Sequence, residues 1–61
     1  MAKFLILGKN GQVGWELQRA LALRGEVLCL GRHDEGGDLS YPEKVAATIL
    51  NFCPNAVFNA A

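Results

Sequence analysis

Apolar positions along this chain alternate between continuous runs and helical repeats. Residues 4–7 form an unbroken apolar run, which is typical of a parallel strand buried on both faces. Between residues 12 and 24 the apolar side chains recur every three or four positions and predict one buried helix face: Val13, Leu17, Ala20, Leu21 and Leu23. Gly25 follows as the predicted C-cap of this helix.

The second half of the chain repeats this order. Residues 26–30 predict a second strand, and residues 31–38 a polar loop. Ser40 and Glu43 have the spacing of a capping box, with Pro42 in the first turn of a second helix. The predicted buried face of that helix consists of Val45, Ala46, Ile49, Leu50 and Cys53. Pro54 ends the helix, and residues 56–58 predict a third strand.

Right-handed crossovers decide how these elements assemble. When the third strand pairs on the free side of the first, the two crossovers run in opposite directions and place the helices on opposite faces. We therefore predict an α/β fold, the N-terminal part of a Rossmann-type doubly wound parallel sheet with three strands in the order two-one-three. Such sheets bind ligands where the direction reverses, at the carboxyl ends of the strands. Residues 8–14 and 59–61 both fall there.

Three evenly spaced glycines follow the first strand. Gly8, Gly11 and Gly14 have the spacing Gly-x-x-Gly-x-x-Gly between a strand and a helix, which indicates a pyrophosphate-binding turn for a dinucleotide. The first glycine permits the tight turn, the second lets the backbone approach the phosphates, and the third lets the helix start lie against the strand. A P-loop is excluded, because Asn10 stands where that motif requires Ser or Thr.

The loop after the second strand contains further candidates. The acid that binds the adenosine ribose of NAD is missing at Gly31, and Arg32 is either a ligand for the 2′-phosphate of NADP or a solvated loop residue. Asp38 and Leu39 are candidates to bracket an adenine ring. His33 with Asp34, Glu35 and Asp38 matches no metal-binding spacing, so we predict no metal site here.

Composition narrows the class of protein. The chain has 61 residues, 51% of them hydrophobic, and a formal net charge of zero, so it carries no electrostatic footprint for nucleic acid or an anionic membrane. No apolar run is long enough for a signal peptide or a membrane span, which predicts a cytoplasmic protein. Cys29 and Cys53 are interpreted as packing residues. A complete dinucleotide-binding fold needs two such halves, so we expect the opening part of a larger protein.

Three segments together resemble a known family. Residues 8–19, 37–40 and 59–61 are similar to the dTDP-4-dehydrorhamnose reductases, a branch of the extended short-chain dehydrogenases/reductases, and residues 11–19 are specific to that branch. The resemblance implies reduction of the 4-keto group of dTDP-6-deoxy-L-lyxo-4-hexulose to dTDP-L-rhamnose by NADPH or NADH. It also implies a cytoplasmic homodimer associated with magnesium. The alternatives are an NADP-binding regulatory subunit without reductase activity, and a nucleotide-sugar epimerase or dehydratase.

The resemblance also implies roles for individual residues. Gly11, Gln12 and Val13 would contact the pyrophosphate, Asp38 with Leu39 would hold the adenine, and Ala60 with Ala61 would begin the segment beside the nicotinamide ribose. The predicted cofactor-binding residues are Gly8, Asn10, Gly11, Gln12, Val13, Gly14, Arg32, Asp38, Leu39, Ala60 and Ala61. The family's catalytic Thr or Ser, Tyr and Lys would lie beyond residue 61. Residues 1–61 are thus expected to be the N-terminal part of an NAD(P)-binding domain, without the substrate domain.

Overall fold

The computed structural model describes residues 1–61 and contains strands and helices in strict alternation. The elements are β1 (Ala2–Leu7), α1 (Gln12–Ala22), β2 (Gly25–Leu30), α2 (Pro42–Phe52) and β3 (Ala56–Asn59). All five elements predicted from the sequence are present. Neither helix has the length and apolar composition needed to cross a membrane.

The three strands form one parallel sheet in the order β2-β1-β3, as predicted. Pairing of β1 with β2 runs from Ala2 opposite Gly25 to Leu7 opposite Leu30. Pairing of β1 with β3 ends at Leu7 opposite Asn59. Leu7 is therefore level with the last residue of both neighbouring strands, and the three carboxyl ends meet at one edge.

The helices lie on opposite faces of this sheet, which confirms the predicted architecture. Leu5 and Leu7 form a buried cluster with Val45 of α2, packed by Leu28, Leu30, Ile49 and Phe52. Cys29 belongs to the other face because side chains alternate along a strand. Burial raises the pKa of the Cys29 thiol, and a hydrogen bond with Gln18 of α1 partly offsets that rise.

The predicted C-cap at Gly25 is wrong. Helix α1 ends at Ala22 with Leu23 as its C-cap, and Arg24 closes the turn by donating its N–H to the Leu21 carbonyl over 2.8 Å. Gly25 is instead the first residue of β2, opposite Ala2. A Cβ at Gly25 would collide with the Ala2 carbonyl oxygen, so the glycine serves close strand pairing.

The predicted capping box at Ser40 and Glu43 is also wrong. Helix α2 begins at Pro42, its N-cap is Tyr41, and no side chain caps it. Ser40 lies outside the helix and donates its backbone N–H to Asp38 Oδ1 over 2.9 Å. The local turn at Asp38 therefore replaces the reciprocal cap, because Asp side chains readily accept from the N–H two residues later.

The predicted buried faces were correct only in part. Val13 is 63% exposed, Leu23 92% and Leu50 76%, and Ala20, Ala46 and Cys53 are exposed as well. The buried and half-buried residues are Gly14, Leu17, Gln18 and Leu21 in α1, and Val45, Thr48, Ile49 and Phe52 in α2. Both sets have the spacing of one helix face. In α1 that face is centred on Gly14 rather than on an apolar side chain, because the helix start must approach the β1 turn.

Candidate functional site

A cleft of about 370 Å³ opens at the carboxyl edge of the sheet. Eight of the predicted cofactor-binding residues line it: Gly8, Asn10, Gly11, Arg32, Asp38, Leu39, Ala60 and Ala61. Gly31, Gly37 and Ser40 line it too and were not predicted. Three separate segments of the chain therefore converge on one space.

The turn after β1 is built on Gly8. Its φ is +95°, a conformation that side chains rarely adopt, and its N–H donates to the Leu30 carbonyl over 2.8 Å. A Cβ at Gly8 would lie 2.6 Å from the backbone nitrogen of Ala61. Ala60 is held beside the same turn, since its N–H donates to the Leu7 carbonyl over 2.8 Å. Only glycine allows this approach of the two segments.

Gly14 and Gly11 differ in what makes glycine necessary. A Cβ at Gly14, which is buried, would collide with the Gly8 carbonyl oxygen. Gly11 has an ordinary φ of −87°, and a Cβ there would meet nothing closer than 3.8 Å. Neither the backbone conformation nor the packing requires glycine at residue 11, which leaves the cleft that it lines as the place where a side chain would intrude.

The N-terminus of α1 carries unpaired amide groups. Within α1, Trp15 is the first residue whose N–H is bonded, over 3.1 Å to the carbonyl of the N-cap Gly11, and no side chain caps the helix. The amide groups of residues 12–14 thus have no acceptor within the helix and suit an anion. The side chains of Gln12 and Val13 line a separate groove on α1. Their contact with a ligand in the cleft has to be made by the backbone.

The loop after β2 is held in place by Asp34. Its Oδ2 accepts the Gly31 N–H over 2.8 Å and lies 2.7 Å from Lys9 Nζ. The hydrogen bond from the Gly31 N–H is the largest cause that lowers the pKa of the Asp34 carboxyl below its ordinary value. The contact with Lys9 lowers it further. Gly36 and Gly37 are buried, so the polar loop predicted over residues 31–38 is held at both ends. Asp34 does not line the cleft.

One cation and one carboxylate line the cleft, Arg32 and Asp38. Arg32 is exposed and makes no ion pair. The ion pair of this chain joins Lys9 and Asp34. Asp38 accepts the Ser40 N–H, which lowers the pKa of its carboxyl below the ordinary value. Leu39, 45% exposed, stands beside it. A carboxylate next to an apolar side chain suits a flat ring that bears an amino group.

Comparison with known proteins bears on this arrangement. The family model described as "RmlD substrate binding domain" matches residues 2–61. The chain belongs to this family. It is 52% identical over 59 residues to the dTDP-4-dehydrorhamnose reductase of Shigella flexneri and 52% identical to that of Escherichia coli, in both cases covering 93% of this chain and 20% of the relative. It is 48% identical to the dTDP-4-dehydrorhamnose reductase of Burkholderia thailandensis, covering 97% of this chain and 19% of the relative.

The RmlD-family chain spans about a fifth of the length of the curated relatives that it matches. The resemblance inferred from residues 8–19, 37–40 and 59–61 is confirmed by these matches.

The residues described form no all-protein site for magnesium. No group of three or more His, Cys, Asp or Glu side chains in residues 1–61 is placed to hold a metal ion.

Proposed function

We propose that residues 1–61 are the N-terminal part of the NAD(P)-binding domain of a dTDP-4-dehydrorhamnose reductase. The full-length protein would reduce the 4-keto group of dTDP-6-deoxy-L-lyxo-4-hexulose and give dTDP-L-rhamnose, with NADPH or NADH as reductant. Its ligands would be the dinucleotide and the nucleotide sugar. The relatives named above carry this activity in their names, which supports the proposal.

One observation carries the cofactor part of the proposal. Gly8 and Gly14 are required by contacts within the protein, whereas Gly11 lines the cleft and a Cβ there would make only ordinary van der Waals contacts at 3.8 Å. A phosphate seated at Gly11 would lie next to the unpaired amide groups at the start of α1. Peptide amides and the helix dipole favour negative charge there.

The remaining cleft residues suit the other parts of a dinucleotide. Asp38 accepts the Ser40 N–H at Oδ1, which leaves its other oxygen to accept from the adenine amino group. Leu39 packs against the ring face. Ala60 and Ala61 continue from β3 and pass the nicotinamide-side ribose. A dinucleotide bound in this way would extend along the carboxyl ends of all three strands.

The chemistry of the proposed reaction is a hydride transfer. When bound, NADPH or NADH would supply the hydride for carbon 4 of the sugar and would be oxidised in turn, and a proton would complete the hydroxyl at the carbonyl oxygen. Residues 1–61 contribute binding and orientation of the dinucleotide in this scheme, because the groups that would move the proton lie outside them.

The test is an assay of the full-length protein with dTDP-6-deoxy-L-lyxo-4-hexulose and NADPH or NADH. We expect loss of absorbance at the reduced nicotinamide band in proportion to formation of dTDP-L-rhamnose. Cofactor binding without turnover would instead identify a regulatory subunit. Conversion of the sugar without net consumption of reduced cofactor would identify an epimerase or dehydratase. Either result overturns the reductase proposal.

A further inference from the structure

Thr48, in the middle of α2, is bonded to the chain segment that leads to Asp38. Thr48 Oγ1 donates to the Gly36 carbonyl oxygen over 3.2 Å. Gly36 is buried, and no backbone N–H donates to its carbonyl. The Thr48 hydroxyl is therefore the donor that this carbonyl has within the chain. A buried carbonyl that loses its donor is costly, so this bond favours one place for the segment.

The two glycines of this segment pack closely against α2 and β2. Gly36 has a φ of +81°, and a Cβ there would collide with Thr48 Oγ1. A Cβ at Gly37 would lie 2.7 Å from the Cβ of Leu30, the last residue of β2. The backbone of residues 36 and 37 therefore touches both α2 and the end of β2. A shift of Gly36 away from Thr48 has to move the residues that follow it.

Asp38 and Leu39 lie between two points that are bonded to α2. The first point is Gly36, and the second is the Asp38 carbonyl, which accepts the N–H of the N-cap Tyr41 over 3.0 Å. Asp38 and Leu39 line the cleft, whereas Thr48 lines a separate depression of about 390 Å³. The Thr48 side chain can therefore affect a ligand in the cleft only through the segment that it holds.

We infer that Thr48 is a positioning residue, which fixes Asp38 and Leu39 in the cleft and so tightens binding of the adenine-bearing part of the ligand. This inference rests on the proposed function, since it takes these two residues as the adenine contacts. Thr48 Oγ1 also lies 3.1 Å from the Lys44 carbonyl oxygen. Because a hydroxyl has one proton, Thr48 keeps an acceptor on its own helix when the segment moves away. Attachment and release of the segment thus exchange one hydrogen bond for another.

The experiment compares Thr48→Val with Thr48→Ser in the full-length protein. Valine keeps the branched shape and removes the hydroxyl, whereas serine keeps the hydroxyl. Thr48→Val should weaken binding of NADPH and NADH alike by about threefold to tenfold, the effect of one neutral hydrogen bond, and Thr48→Ser should stay within about twofold of the wild type. The kcat at saturating cofactor should be unchanged. Asn51→Ala is the matched control, because Asn51 is exposed, lines the same depression and should change neither constant.

A double-variant cycle tests whether Thr48 acts through the cleft residues. The background is Asp38→Ala combined with Leu39→Ala, which removes both proposed adenine contacts. Thr48→Val should weaken dinucleotide binding by less than about twofold in this background, because residues that act through one another are not additive. Denaturant unfolding establishes that each variant is folded. If Thr48→Val does not fold, Thr48→Ala also lacks the hydroxyl and carries the same expectation.

The outcomes separate this inference from the proposed function. If the wild type binds neither dinucleotide, the proposed function fails and the positioning role with it. If the wild type binds but the variant without the hydroxyl binds equally well, or if Thr48→Ser fails to restore binding, the positioning role is overturned and the proposed function stands. A full effect of Thr48→Val in the absence of both adenine contacts overturns it as well, and so does a lower kcat with unchanged affinity.

Discussion

The carbonyl oxygen of Gly8 occupies the place where a side chain on Gly14 would begin. Gly8 follows β1 directly, and Gly14 lies in the first turn of α1. Gly8 lines the cleft, whereas Gly14 lies behind it. This contact means that the spacing of the glycines is set partly by packing and only partly by a ligand. The two contributions can be measured separately.

We predict that Gly14→Ala destabilises the full-length protein by about 1–3 kcal/mol, because the added methyl group has to displace the Gly8 carbonyl. Gly11→Ala should change the free energy of unfolding by less than about 0.5 kcal/mol, since its Cβ meets nothing closer than 3.8 Å. Denaturant unfolding of both variants checks this. Equal stability of the two variants would contradict the packing role of Gly14.

Gly11→Val should weaken dinucleotide binding at least tenfold, about 1.4 kcal/mol, while the protein remains folded. The branched side chain would project from a wall of the cleft toward the position proposed for the pyrophosphate. Fluorescence or calorimetric titration with NADPH measures the effect. Glu16→Gln is a control on the adjoining helix, because Glu16 lines a different groove. Unchanged affinity in a folded Gly11→Val protein refutes the assignment.

The Asp34 carboxylate should stabilise the loop after β2 in a pH-dependent way. Its pKa in the folded state is below the ordinary value, held there by the Gly31 N–H and by Lys9. The stabilisation is therefore complete above the pKa of the unfolded chain and is lost as the pH falls through the lowered folded-state pKa. Asp34→Ala should be less stable than the wild type at pH 7, and the difference should shrink from about pH 5 downward.

Unfolding of wild type and Asp34→Ala across this pH range gives the measurement. Glu35→Ala is the matched control, because Glu35 is exposed and makes no ion pair. A stability difference that stays constant with pH would show that Asp34 acts through loop conformation rather than through its charge.

A peptide of residues 1–61 alone should be marginally stable. Its buried hydrophobic side chains number four, Leu5, Ile6, Leu7 and Val45, whereas large hydrophobic side chains such as Trp15 and Leu50 are exposed. A domain of this size buries only about 60% of its unfolded surface, and β3 is an unprotected sheet edge. Circular dichroism during heating, with sedimentation to establish the monomer, tests this. A cooperative transition of a monomer near physiological temperature would count against it, whereas folding through self-association would not.

The sequence by itself determined the local elements and their order. Apolar runs and helical repeats identified all three strands and both helices, because side-chain periodicity reflects which face each element buries. The handedness of the crossovers then led to the order β2-β1-β3. The glycine turn was predicted for the same local reason, since three evenly spaced glycines stand between a predicted strand and a predicted helix.

Only the tertiary structure decided the relationships between distant residues. Gly25 was predicted as a helix cap but is required for close pairing with Ala2, and Asp34, which the sequence placed only in a polar loop, is bound to Lys9. The space at Gly31 is limited by Asn10, which lies in another segment. These contacts join different elements at the edge of the sheet, and spacing along one chain carries no information about which side chains meet there. Packing against the sheet likewise chose Gly14 rather than Val13 for the inward face of α1.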